Sequence, residues 1–182
     1  MNTTIHPMEI TTAEYLYNNC ILQATLAQVE QASVWYFEAQ EVAEDVAEIL
    51  GTSLEVGASI VSAFSPRERW ASNVAKAYAF ANGKPVTGLS NNLKMANAAL
   101  EQGFDALKGQ KTNAFARAIA GDTNAVVIDV WMCRAANAPT DSPSKGLYNT
   151  LSDAVTSVAN EHGLSPRTAQ ALIWIVKRGS HE

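Results

Sequence analysis

Leu107-Lys108-Gly109-Gln110-Lys111-Thr112 and, further along, Val126-Val127-Ile128-Asp129 are the stretches that decide how this sequence folds. The first is a short turn feeding a helix: Gly109 frees the backbone, and Thr112 to Ala120 then puts Phe115, Ala118 and Ile119 on one side at helical spacing. The second is an apolar run closed by an aspartate, whose carboxylate can accept from the orphan N–H groups of a helix start. Ala125-Val126-Val127-Ile128 has the composition of a strand, but no second strand is available to pair with it. It reads as a buried extended connector, with Asp129 capping a helix that runs to about Asn137. A chain with no sheet to build is predicted to be all-α.

Helical spacing extends in both directions from these stretches. Leu22, Leu26 and Val29 fall on one predicted face, and Ala39, Val42, Val46 and Ile49 on another that stops at Gly51. Thr52 and Glu55 have capping-box spacing ahead of Val56, Ile60 and Phe64. Ser65-Pro66-Arg67-Glu68 predicts a helix start running to about Asn82, since it combines a cap serine, proline at the first helical position and a following acid. Gly83, Pro85 and Gly88 interrupt the pattern, and Ser90 is the expected cap of a helix carrying Ala96, Ala99 and Leu100 up to Gly103. After a loop from Pro139 to Gly146, Tyr148, Leu151, Val155 and Val158 mark a long amphipathic helix ending at Gly163. Ser165-Pro166 then starts a last helix with Ala171, Leu172 and Ile175 facing inward.

A chain of 182 residues, 47% of them hydrophobic, can bury one core without disulfides or metals, so one domain over 1–182 is expected. Within it, 1–52 reads as acidic helices and 53–178 as the core that contains the turn at 107–112. Cys20 and Cys133 lack metal-ligand spacing, which leaves a reduced thiol pair, no zinc or iron–sulfur centre, and no cofactor. No apolar run reaches about 18 residues, and Met1 to Glu9 lacks the order of a signal peptide, so a cytoplasmic protein without a membrane anchor is expected. His6, His162 and His181 are assigned no role. The formal charge of −5 is unevenly distributed: residues 1–66 carry nine acids and no Lys or Arg, whereas 67–182 carry thirteen bases and nine acids. A phosphate-facing surface is expected from Arg67, Lys108, Lys111 and Arg117, with the acids from Glu38 to Glu55 kept elsewhere.

The order turn, lysine, helix, apolar run and aspartate resembles the helix-hairpin-helix (HhH-GPD) DNA glycosylase superfamily, and the eighteen-position interval between Lys111 and Asp129 resembles its endonuclease III-like branch. Phe64-Ser65-Pro66-Arg67 looks like that family's Leu-Ser-x-Gln segment, which would make Arg67 the residue that wedges into the gap left by an extruded base. Trp131 to Arg134 resembles the helix after the catalytic aspartate, and the likeness spans roughly residues 54 to 178. The same segments also resemble those of uncharacterised phage proteins, which implies a phage-encoded relative acting in the host cytoplasm. The turn departs from the family's hairpin in having Gly109 as its only glycine and in being shorter.

The resemblance implies a two-lobed helical fold and a DNA glycosylase, with Lys111 and Asp129 catalytic, Trp131 lining a base pocket, and Arg67, Lys108, Gly109, Gln110, Thr112 and Arg117 on the DNA. The residue types suit that chemistry. Breaking an N-glycosidic bond builds positive charge on the sugar, which a carboxylate stabilises. A neutral lysine amine can attack C1′, and a helix N-terminus disfavours the ammonium form. Each residue also has a plainer reading: Asp129 as a cap, Lys111 as a solvated side chain, and Trp70, Tyr78 and Trp174 as core aromatics. Three alternatives stay open beside the enzyme: a DNA-binding protein without chemistry, a processor of hypermodified bases, and a helical interaction protein with no DNA role.

Overall fold

The structure, a computed structural model, describes residues 8–179; His6 and His181 lie outside the described residues. It is all-α, with no strand among the described residues. The helices are α1 (Ile10–Leu22), α2 (Leu26–Leu50), α3 (Leu54–Ala63), α4 (Trp70–Ala81), α5 (Ser90–Gln102), α6 (Gln110–Ile119), α7 (Val130–Ala135), α8 (Lys145–Glu161) and α9 (Pro166–Arg178), with a 3₁₀ turn over Gly103–Ala106 after α5. Among the described residues no single helix is long and apolar enough to cross a membrane. Residues 8–34 and 126–179 form one compact unit, and residues 35–125 form another.

In the first unit α8 supplies the central apolar face. Tyr148, Leu151, Ala154, Val155, Val158 and Ala159 recur at the spacing that lines up one side of a helix, and all are buried. Ala13 and Tyr17 of α1, Met132 and Cys133 of α7, and Ala169 and Ile173 of α9 belong to the same core. The helix ends are specified locally. Ser144 accepts from the Leu147 N–H and Ser165 from the Thr168 N–H, Pro166 opens α9, and Gly179 closes it with a left-handed φ of 87°. His162 at the end of α8 is 2.6 Å from Asn18 Oδ1, tying α8 to α1.

The second unit is built on α3, in which every residue from Gly57 to Ala63 is buried. Burying Ile60, Val61 and Phe64 contributes about 1.5–3 kcal/mol each. Ser62 in this apolar helix is satisfied because its hydroxyl donates to the Thr112 carbonyl at 2.7 Å, which ties α3 to the start of α6. Gly57 lets α2 come close: a Cβ there would overlap the Ala43 carbonyl oxygen and sit 3.0 Å from Ala47 Cβ. Trp35 packs against Tyr36, Trp70 and Phe115 with ring centroids 4.8, 5.3 and 6.0 Å away.

Several local expectations are not met. Ser65-Pro66-Arg67-Glu68 is a turn and α4 starts only at Trp70, because Arg67 has φ 62° and the Glu68 N–H closes back on the Ser65 carbonyl. The Ser65 hydroxyl caps nothing and has no partner. Ser53, not Thr52, caps α3, and Glu55 instead accepts from the Phe104 N–H at 3.2 Å. The α5 cap position is Leu89, with Ser90 already helical. Leu22 and Leu26, expected to share one helical face, lie on different helices and are 67% and 84% exposed, because α1 ends at Leu22 and α2 starts at Leu26. Val29, Ile49 and Leu100 are exposed as well. Gly146, expected in a loop, lies in the first turn of α8.

The close approach at Gly57 yields a stability test. Gly57→Ala is expected to lower the unfolding free energy by about 1–3 kcal/mol through overpacking, read by chemical denaturation. Gly146→Ala, where a Cβ meets nothing within 4 Å, is expected to be neutral or stabilising by up to about 1 kcal/mol. Equal effects at the two positions would refute the packing account.

Candidate functional site

Asp129 stands at the junction of the buried connector and α7. Its Oδ1 accepts from the backbone N–H groups of Trp131 at 2.9 Å and Met132 at 3.0 Å, the arrangement of a helix cap. Its Oδ2 accepts from the indole N–H of Trp174, on α9, at 2.8 Å. The side chain is half-buried, and the start of α7 adds a favourable dipole for its negative charge. Trp131 follows two residues on, half-buried, with the Arg134 guanidinium carbon 5.1 Å from its ring centroid. Arg134 pairs with Asp141 at 2.7 Å, which raises its pKa, and so is held over the ring.

The connector that delivers Asp129 has buried backbone and no ladder to satisfy it, and Tyr148 supplies what is missing. Its hydroxyl accepts from the Ile128 N–H at 3.2 Å and donates to the Val126 carbonyl at 2.9 Å. Burial pushes this phenol up to about 12, with the nearby Asp129 charge adding to the rise and the Ile128 N–H opposing it. Tyr17 of α1 donates to the Met132 carbonyl at 3.1 Å, and burial raises its pKa as well. Cys133, buried in α7, is pushed up to about 11 by desolvation first and the Asp129 charge second.

Lys111 belongs to the other unit. It is half-buried in the first turn of α6, whose N-cap is Gly109, so no cap side chain competes for the N–H groups there. Lys108 and Gly109 are exposed and Gln110 half-buried. Thr112 is buried, with its hydroxyl donating to the Gly109 carbonyl at 3.1 Å. Asn113 holds the preceding turn through Nδ2, which is 3.0 Å from the Phe104 carbonyl and 3.3 Å from that of Leu107. Arg117 lies 4.7 Å from the Phe104 ring centroid and donates to Asn113 Oδ1 at 2.9 Å. Glu55, on α3, accepts from the Phe104 backbone N–H at 3.2 Å.

Arg67 is exposed at the tip of its turn in a left-handed conformation that a non-glycine side chain adopts at a cost of about 1–3 kcal/mol. The turn is pinned on both sides. Asn92 donates to the Pro66 carbonyl at 3.2 Å, and Glu68 accepts from Ser72 at 2.8 Å and from Lys76. Those two donors, Lys76 foremost, hold the Glu68 carboxyl below its usual range.

The structure thus brings Asp129 and Trp131 together, and gathers Lys108 to Thr112 at one helix start. Nothing in the sequence pairs Trp174 with Asp129, since the spacing of residues 45 positions apart carries no signal of their contact. A family model matches residues 6–181, and the chain belongs to that family, described as a family of unknown function (DUF7178). No curated protein and no solved structure matches it.

Two predictions come from these contacts. Tyr148→Phe strands the Ile128 N–H and the Val126 carbonyl and is expected to lower stability at neutral pH by about 1–3 kcal/mol. A phenol raised in the folded state adds stability that is complete below its unfolded value of 10.0 and lost as pH climbs through about 12, so wild-type stability should fall faster than the variant's over that interval. Denaturation at neutral and alkaline pH checks both, and parallel alkaline slopes would contradict the assignment. Arg67→Gly should raise thermal stability, by about 1 kcal/mol, through relief of the left-handed backbone, and a loss of stability would show that the side chain itself holds the turn.

Proposed function

We propose that the protein is a DNA glycosylase-like enzyme, on a two-lobed scaffold with a shortened helix-hairpin-helix motif at 107–112, that cleaves the N-glycosidic bond of a modified or damaged base. The observation that carries this reading is the Asp129 carboxylate, half-buried and fixed by N–H donors on both oxygens beside Trp131. A held anion of this kind stabilises positive charge developing at C1′ as the bond to the base breaks and its electron pair leaves with the base nitrogen. Water then adds to C1′ and gives up a proton while the departing base nitrogen takes one, through solvent, leaving an abasic sugar and free base. Lys111, half-buried at the start of α6, is the amine of a lyase step. Its nitrogen adds to the aldehyde carbon of the ring-opened sugar and water departs, forming an imine. Lys108, Gly109, Gln110, Thr112 and Arg117 are the DNA-contacting set at that helix start, and Arg67 the wedge. DNA in the cytoplasm, of the host for a phage-encoded protein, is the partner.

A second reading, a DNA-binding protein without chemistry, is favoured by the same carboxylate, because a cap whose oxygens are both occupied already has a structural role.

Borohydride trapping on an abasic duplex separates the readings. Wild type is expected to give a covalent protein–DNA adduct that Lys111→Ala abolishes. Asp129→Asn is expected to fold and bind DNA, since Asn also caps, yet to lose 10²-fold or so of base release from duplexes bearing a modified base. Binding to abasic DNA without an adduct eliminates the lyase step, and base release unaffected by Asp129→Asn eliminates the glycosylase. Binding must also weaken with rising salt, since phosphate contacts release counterions; salt-insensitive binding would oppose any DNA role.

A further inference from the structure

We infer that Trp174 is a positioning residue: its indole N–H fixes the Asp129 carboxylate so that it acts as a stationary negative charge. This rests on the reading of Asp129 as the working carboxylate. Both backbone donors of α7, Trp131 and Met132, go to Oδ1, so capping is complete with one oxygen. The remaining oxygen, Oδ2, takes a third donor from a different helix, Trp174 Nε1 on α9 at 2.8 Å. Two donors on one oxygen leave the carboxylate free to rock about that anchor, and a donor on the other removes the freedom. Catalysis by a fixed charge depends on that lost freedom, because a dipole or charge that must reorganise during the reaction stabilises the transition state less.

Trp174 is itself held. Its neighbours Ile173 and Ile175 are buried, and the Arg178 guanidinium carbon lies 4.7 Å from its ring centroid, on the next turn of the same helix. The ring also packs against the core of the first unit, which favours the orientation that points its N–H at Asp129. With its oxygens engaged by two main-chain N–H groups and an indole, Asp129 has the role of an electrostatic partner to the sugar rather than of the group that takes the proton from water.

The test removes the N–H and little else. Trp174→Phe keeps an aromatic ring on α9, and 3-benzothienylalanine at position 174 keeps both rings and the shape while replacing the N–H by sulfur, which covers the case in which the phenylalanine variant folds poorly. With duplexes carrying uracil, an oxidised pyrimidine or an alkylated purine as probes, both variants are expected to release base on the order of 10- to 100-fold more slowly at saturating protein, with DNA affinity unchanged. In 15N-labelled protein, one of the four tryptophan indole resonances should be lost in the Trp174 variants, and the same resonance should shift and exchange faster in Asp129→Ala. A purely structural bond would alter the resonance and leave base release at the wild-type rate, and that result overturns the role of Trp174 alone. An indole resonance indifferent to Asp129→Ala overturns the contact. Wild type inert on every probe overturns the enzyme reading, and the role of Trp174 with it.

Discussion

The Tyr148 hydroxyl is where the first unit is most exposed to failure. An extended segment of four apolar residues is cheap to bury through its side chains and expensive through its backbone, because each unpaired N–H or carbonyl in a dry interior forfeits the hydrogen bond it had with water. A sheet would solve this with a ladder. An all-α unit has none, and here one phenol does the work of a neighbouring strand at Val126 and Ile128. The direction in which Asp129 leaves the core, and hence the register of α7, depends on that pair of hydrogen bonds. Tyr148 is in turn positioned by α8, whose apolar face forms the centre of the same core.

The second unit solves a related problem by subtraction. Gly57 removes a side chain so that α3 can lie against the α2 backbone, and Ser62 sends its hydroxyl to the Thr112 carbonyl instead of leaving it stranded. The start of α6 is therefore fixed from below by a core helix while its upper side carries Lys108 and Gly109 exposed to solvent. Lys111 lies half-buried in that first turn, in the field of the helix dipole. The strain at Arg67 belongs to the same unit. A left-handed arginine persists only because Asn92 and Glu68 hold its turn in place.

Much of this was legible in the residues. The all-α class, α8 and α9, the buried connector and the Asp129 cap all follow from periodicity and cap chemistry that act within a few residues, so reading neighbours suffices. The position of Lys111 in the first turn of α6 is local in the same sense. Ser65-Pro66 and Ser165-Pro166 show the limit. The two have the same signature, and only the second starts a helix. At Ser65-Pro66 the chain turns instead at Arg67, whose φ of 62° lies outside the helical region, and Asn92, distant in sequence, bonds the Pro66 carbonyl. The exposure of Leu22 and Leu26 likewise depends on where two helices part, not on the apolar face either would offer alone. The second oxygen of Asp129 was decided by tertiary structure altogether. Capping is a contract between a residue and the next two or three, whereas the Trp174 indole reaches Asp129 only because α7 and α9 pack together, and no local rule of spacing encodes which helices become neighbours.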